Sequence, residues 1–107
     1  MNKLVKLVKL NNLQYNPNRD PQVYRRVAGE SFRVQAFLAG SGTTKCTVRD
    51  AAGKALVEAE IAAPGTFEYR VAFDKPGQYL VTLEVSRAGE TFAQPLRLDV
   101  LEHAWIG

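Results

Sequence analysis

The sequence predicts an all-β domain, a sandwich or barrel, and three observations carry that prediction. From residue 30 onward apolar and polar residues alternate with period two, Gly and Pro turns punctuate the alternation, and no long helical pattern interrupts it. The 107 residues, 46% hydrophobic and 23% charged, suit one globular core; they are too polar for a membrane span and too apolar for disorder. With one Cys, one His and one Met there is neither a disulfide framework nor a cluster of soft ligands, which rules out stapled miniproteins, zinc ribbons and most metallohydrolases. A single domain is expected over 1–107, with an N-terminal strand and long loop through residue 29, the sandwich core over 30–101 and a tail over 102–107.

Leu4-Val5-Lys6-Leu7-Val8-Lys9-Leu10 repeats in threes, as one short amphipathic helix would. An uncapped helix of this length is marginal in water, whereas Val and Leu in an extended run suit a first strand at a sheet edge. Residues 14–29, containing Asn16-Pro17-Asn18-Arg19-Asp20-Pro21, read as a long loop with a short strand near Val23–Val27. Loops of this length are more often functional or flexible than incidental.

Six strands follow. Residues 31–39 place Phe32, Val34, Ala36 and Leu38 inward, 44–49 place Cys46 and Val48, and 55–61 place Val57, Ala59 and Ile61. Residues 66–73 point Phe67, Tyr69, Val71 and Phe73 inward, and 78–86 do the same with Tyr79, Val81, Leu83 and Val85. Residues 91–101 bury Leu96, Leu98 and Val100 and turn Arg97 and Asp99 to water. Pro95 has no N–H for a ladder, so this last strand is an edge strand or bulges there. Asp50-Ala51-Ala52-Gly53 and Arg87-Ala88-Gly89-Glu90 place Gly where a short hairpin needs positive φ. Ala63-Pro64-Gly65 and Lys75-Pro76-Gly77 carry the Pro-Gly order of type II turns.

The passage Phe73-Asp74-Lys75-Pro76-Gly77-Gln78-Tyr79-Leu80-Val81-Thr82-Leu83-Glu84-Val85, with the Gly turn and Leu96-Arg97-Leu98-Asp99-Val100 after it, resembles bacterial immunoglobulin-like domains, including the polycystic-kidney-disease-like (PKD-like) group, over about 30 residues. The resemblance implies an immunoglobulin-like antiparallel β-sandwich of about seven strands, of the fibronectin-III-like kind, that serves as a binding, spacer or adhesion module. It also puts Tyr79 at the tyrosine corner, ring in the core and hydroxyl bonded to the preceding loop. The chain departs from antibody-type domains in lacking their cysteine pair and strand C Trp: Val34 or Ala36, Val81, and Cys46 or Val48 stand in those regions.

Charge is uneven along the chain. Residues 1–33 hold seven basic and two acidic residues, and the remainder holds seven basic and nine acidic. Lys3, Lys6, Lys9, Arg19, Arg25, Arg26 and Arg33 are dispersed as on a solvated face, whereas a nucleic-acid reader shows a denser basic stripe with several stacking rings. Lysines break the apolar run from Leu4 to Leu10, so no secretory h-region is visible, and the expectation is an intracellular chain or one whose leader has been removed.

Asn16, Asn18 and Asp20 have the spacing that opens a calcium loop. Pro21 replaces the required Gly, however, and Val27 stands where the bidentate Glu belongs, so an Asn/Pro turn explains them better. His103, the only His, lies in the terminal tail, and no nucleophile elbow, P-loop or metal-binding His/Cys motif occurs. No catalytic residue, cofactor or metal is expected. Cys46 falls in the apolar phase as a buried thiol, and Glu58 and Glu60 read as outward solvation. Phe37, Leu56, Leu80, Phe92 and Trp105 fall out of phase with the core. They lie under the long loop or tail, form a subunit interface, or stack a sugar. Tyr24 beside Arg25 and Arg26 has the aromatic-plus-cation look of a protein or nucleic-acid contact.

The leading expectation is a noncatalytic protein-binding or assembly module that binds another protein or itself, through a sheet edge, the loop from Tyr15 to Arg26 or the Trp105 tail. Its contact residues are Tyr15, Tyr24, Arg25, Arg26, Phe92 and Trp105. The alternatives are a carbohydrate-binding module and a membrane-surface attachment through Leu4–Leu10.

Overall fold

The computed structural model describes residues 4–16, 18 and 24–102. Among them seven strands succeed one another: β1 (Val5–Leu10), β2 (Leu13–Gln14), β3 (Arg26–Val27), β4 (Ser31–Arg49), β5 (Ala55–Ala72), β6 (Gly77–Arg87) and β7 (Glu90–Leu101). There is no α-helix among the described residues. The strands form one sheet in the order β2-β1-β4-β6-β7-β3, with β5 on the other side of β4. The sheet is mixed, because β3 runs parallel to β7, and it curls into a half-barrel where the sequence led us to expect two antiparallel layers.

The segment Leu4–Leu10 is extended, as expected, and its threefold pattern has a local cause. The pairing of β1 with β4 shifts register between Val5 and Leu7, which resets the alternation and buries Val5, Val8 and Leu10 together. Asn11 and Asn12, at φ of 55° and 71°, close the β1–β2 hairpin as a two-residue turn. Both hairpins expected from Gly form: Gly53 (φ 87°) lies in the turn from β4 to β5, and Ala88-Gly89 turns β6 into β7.

Two expected reversals are bends instead. The segments 31–39 and 44–49 are one 19-residue strand, and 55–61 and 66–73 fuse into the 18-residue β5. Ala63-Pro64-Gly65, expected as a type II turn, is a corner inside β5 with a cis Ala63–Pro64 bond. Opposite it, β4 carries extra residues between Leu38 and Gly42. Arg87 fills the concavity of that bend: its guanidinium donates to the carbonyls of Ala39 (2.6 Å) and Ser41 (3.2 Å) and to the Thr44 hydroxyl (3.0 Å). Each half of β4 therefore has its own neighbour on one edge, β1 then β6, while β5 follows its other edge throughout.

The core sits in the hollow of the curl. Phe32, Val34, Ala36, Leu38, Cys46 and Val48 enter from β4, Phe67 from β5, Val81, Leu83 and Val85 from β6, and Leu96, Leu98 and Val100 from β7. Two residues expected to point outward belong to it in part. Leu56 sits where the β4–β5 register shifts, which swings it onto the core. Phe92 keeps the phase of Leu96 because β7 passes Pro95 without a bulge, Pro95 lying directly opposite Thr82. Tyr79 stacks on Phe73 at 3.9 Å and 12°, and its hydroxyl donates to the Lys75 carbonyl at 2.7 Å.

Candidate functional site

The long hairpin of β4 and β5 leaves one edge of β5 unpaired by any described strand. Which atoms it presents follows from the ladders on either side. At the first half of β4, Asn11 N donates to Arg33 O and Ala39 N to Leu4 O, so odd-numbered residues of β4 turn their backbone groups toward β1. Even-numbered residues therefore bond β5, and Val34 lies opposite Tyr69. Thr66, Glu68, Arg70 and Ala72 are left with N–H and C=O pointing away from the sheet. At the other half, Arg87 and Glu90 close a two-residue turn, which directs odd residues of β6 to β7 and even ones to β4. Glu84 faces Thr47 and Glu58 faces Thr47 from the other side, so Glu58, Glu60 and Ala62 also aim their backbone groups outward. Pro64 falls in the same series, where its missing N–H removes no bond from the ladder.

The two halves of this edge carry different charge. Glu58 and Glu60 are both exposed on the first. On the second, Glu68 accepts from Arg33 Nε and Nη2 at 3.0 and 2.8 Å, from Arg70 Nε at 3.4 Å and from Gln35 Nε2 at 3.4 Å. The Arg33 hydrogen bond is the main reason its carboxyl is held below the ordinary carboxylate value. Arg33 also donates to Asn12 Oδ1 at 2.7 Å, and Lys9 Nζ lies 5.4 Å from the Phe37 ring centroid on the same outer face.

The residues expected to make contacts are not gathered on one surface. Tyr24 is 1% exposed; its hydroxyl accepts from Asn16 N (3.0 Å) and donates to Gln14 O (2.9 Å). Its ring lies 5.2 Å from that of Tyr15, whose hydroxyl accepts from Arg97 N at 3.3 Å. Both tyrosines pin the N-terminal segment to the sheet, and Tyr24 has no open ring face for a sugar or a partner. This corrects the expectation for Tyr24, because a buried phenol with both hydroxyl functions engaged is a structural anchor. Phe92 is half-buried in a cleft of ≈ 200 Å³ with Val5, Leu7 and Tyr15. Arg25 is exposed, and Arg26 donates to Ser31 O and Arg25 O, both at 3.3 Å. Trp105 and His103 lie outside the described residues, as do Lys3, Arg19, Asp20 and Val23.

Other candidates resolve locally. Asn16 Oδ1 accepts from Asn18 N at 2.9 Å, the Asx turn that competed with a calcium loop. Among the described residues no three His, Cys, Asp or Glu side chains group to hold a metal. Burial pushes the Cys46 thiol up to about 11, leaving it protonated and a poor nucleophile near neutrality. Leu4, Val5, Val8 and Leu10, the apolar side chains proposed to meet a membrane, are in the core. A groove of ≈ 400 Å³ opens beside Phe73, Tyr79 and Leu80.

Sequence reasoning took Glu58 and Glu60 as solvation and did not find the edge itself. The signal was present: charged residues at 58, 60, 68 and 70 share a parity with Pro64, the residue that a paired strand edge would exclude. Neither a scan against protein-family models nor a search of curated proteins returns a match for this chain.

Proposed function

We propose that this chain is a noncatalytic protein-binding module that takes up a partner strand along the free edge of β5, within a fold akin to immunoglobulin-like domains. The observation that carries the reading is the 18-residue strand paired on one side only among the described residues. Unpaired N–H and C=O groups along an edge template an added strand, and alternate side chains select which one. The Tyr79–Lys75 hydrogen bond supports the fold kinship, since it is the contact expected of a tyrosine corner.

Proline at an outward-pointing position tests this directly, because it removes an edge donor without removing a β4–β5 bond. Tagged wild type, Glu60→Pro/Arg70→Pro and Arg25→Ala/Arg26→Ala are used as baits on extract from the native source, after thermal melting confirms that all three fold. The proline variant is expected to lose partners that the arginine variant keeps. The same set of captured proteins on wild type and proline variant would overturn the reading.

A further inference from the structure

Resting on the edge-binding reading, we infer that the strand added to residues 66–72 of β5 is the same segment of a second copy, antiparallel and centred on a two-fold axis at Tyr69. Two-fold pairing of an edge with itself must bring outward-pointing residues opposite one another, so the centre is fixed by what the charges allow. Centring on Glu68 sets it against its own copy, and centring on Arg70 does the same to the arginine. Centring on Tyr69 puts Glu68 opposite Arg70 of the second copy, twice by symmetry, with all four residues in hydrogen-bonded positions. Like charges directly opposite repel and unlike charges attract, so this register is the favoured one of the three.

The inner face agrees. In the same register Tyr69 meets Tyr69 of the second copy and Phe67 meets Val71. Tyr69 and Val71 are only partly buried in the single chain, although both pack on the core. A second copy would cover their open flank and continue the hydrophobic layer across the axis. The first half of the edge does not permit this: centring on Glu58, Ala59 or Glu60 always brings two glutamates face to face. Pro64 and the corner beside it separate the two halves.

A seven-residue strand pair covers less area than a standard stable interface, so the dimer should be weak and concentration-dependent. Sedimentation velocity on the purified full chain reads it. Wild type is expected to shift from monomer to dimer as concentration rises, and Arg70→Glu, which sets Glu against Glu twice, to raise the dissociation constant about tenfold or more. Glu68→Arg alone should also stay monomeric, while an equimolar mixture of Glu68→Arg with Arg70→Glu should dimerise as wild type does, because each supplies what the other lacks. Glu58→Pro, on the other half, should leave the dimer intact. A wild type that remains monomeric to about 1 mM, or a dimer indifferent to Arg70→Glu, overturns the inference. If the edge prolines nevertheless release captured partners, edge binding stands and only the second copy is wrong; if they release nothing, both fail.

Discussion

Glu68 gathers four donors from three side chains, and its depressed pKa makes that cluster a pH-dependent contribution to stability. The folded state favours the ionised carboxylate. Its contribution is therefore complete above the unfolded value of about 4.3 and disappears as pH falls through the lower folded value. The pair with Arg33 is about one-third exposed on both sides, so the effect is modest and screened by salt. Urea midpoints of wild type and Glu68→Gln should differ at pH 7 and converge in acid below the carboxylate range. A gap that persists at low pH would place the effect elsewhere. The arginine partner thirty-five residues away could not be read from sequence, where Glu68 is one more outward charge on an alternating strand. Tyr24 shows the same limit from the opposite side. An aromatic beside two arginines looks alike on a surface and under a loop, and what buries it here is backbone eight and ten residues upstream.

At the level of elements, the bend in β4 is where local signal and final structure part. Gly and Pro mark departures from a straight strand, and they do not say whether the chain reverses or turns a corner. At Gly53 and Gly89 it reverses, since the strands on either side pair with each other. At Gly40–Gly42 and Pro64–Gly65 it corners, since both halves of β5 find their partner in β4. The inward residues of β4 keep their period-two phase through the bend, which is why Phe32, Val34, Cys46 and Val48 were legible and the choice between reversal and corner was not. What holds the corner is Arg87 together with Gly40, whose φ is 77° and whose absent β-carbon would lie 2.5 Å from the Arg87 Nη1. Arg87→Ala should cost about 2 kcal/mol, the range for hydrogen bonds from a charged donor to backbone acceptors. Gly40→Ala should cost about 1 kcal/mol for the left-handed conformation plus part of the Arg87 contribution that its methyl displaces. In denaturant melts the two losses should be less than additive, since the methyl group and the truncation damage one contact. Strict additivity would show that Arg87 does not hold the bend.

For the whole molecule, the curl decides what the surface must contend with. A closed barrel has no edges, whereas a half-barrel keeps them and must blunt them. Alternation in the sequence reports which face of a strand is buried and is silent on which strands are neighbours. The all-β class and the core were therefore legible, and the half-barrel with its open β5 was not. The edge residues fit the blunting role: Pro64 on β5, Pro95 on the outer side of β7, and the acidic pair Glu58 and Glu60 within Ala55-Leu56-Val57-Glu58-Ala59-Glu60-Ile61. Without those two carboxylates this stretch would be an uncharged, β-prone run on an open edge, the profile of an aggregating segment. Glu58→Val/Glu60→Val is therefore expected to fold, with a melting temperature equal to or above wild type because both sites are solvent-facing strand positions. Held at high concentration and neutral pH, it should then form thioflavin-positive aggregates while wild type stays soluble. Single replacements should give an intermediate lag, and adding Ala62→Pro, which blocks the edge at the exposed position next to the segment, should restore solubility. A double variant as soluble as wild type would mean that the first half of β5 is protected by something other than its charge.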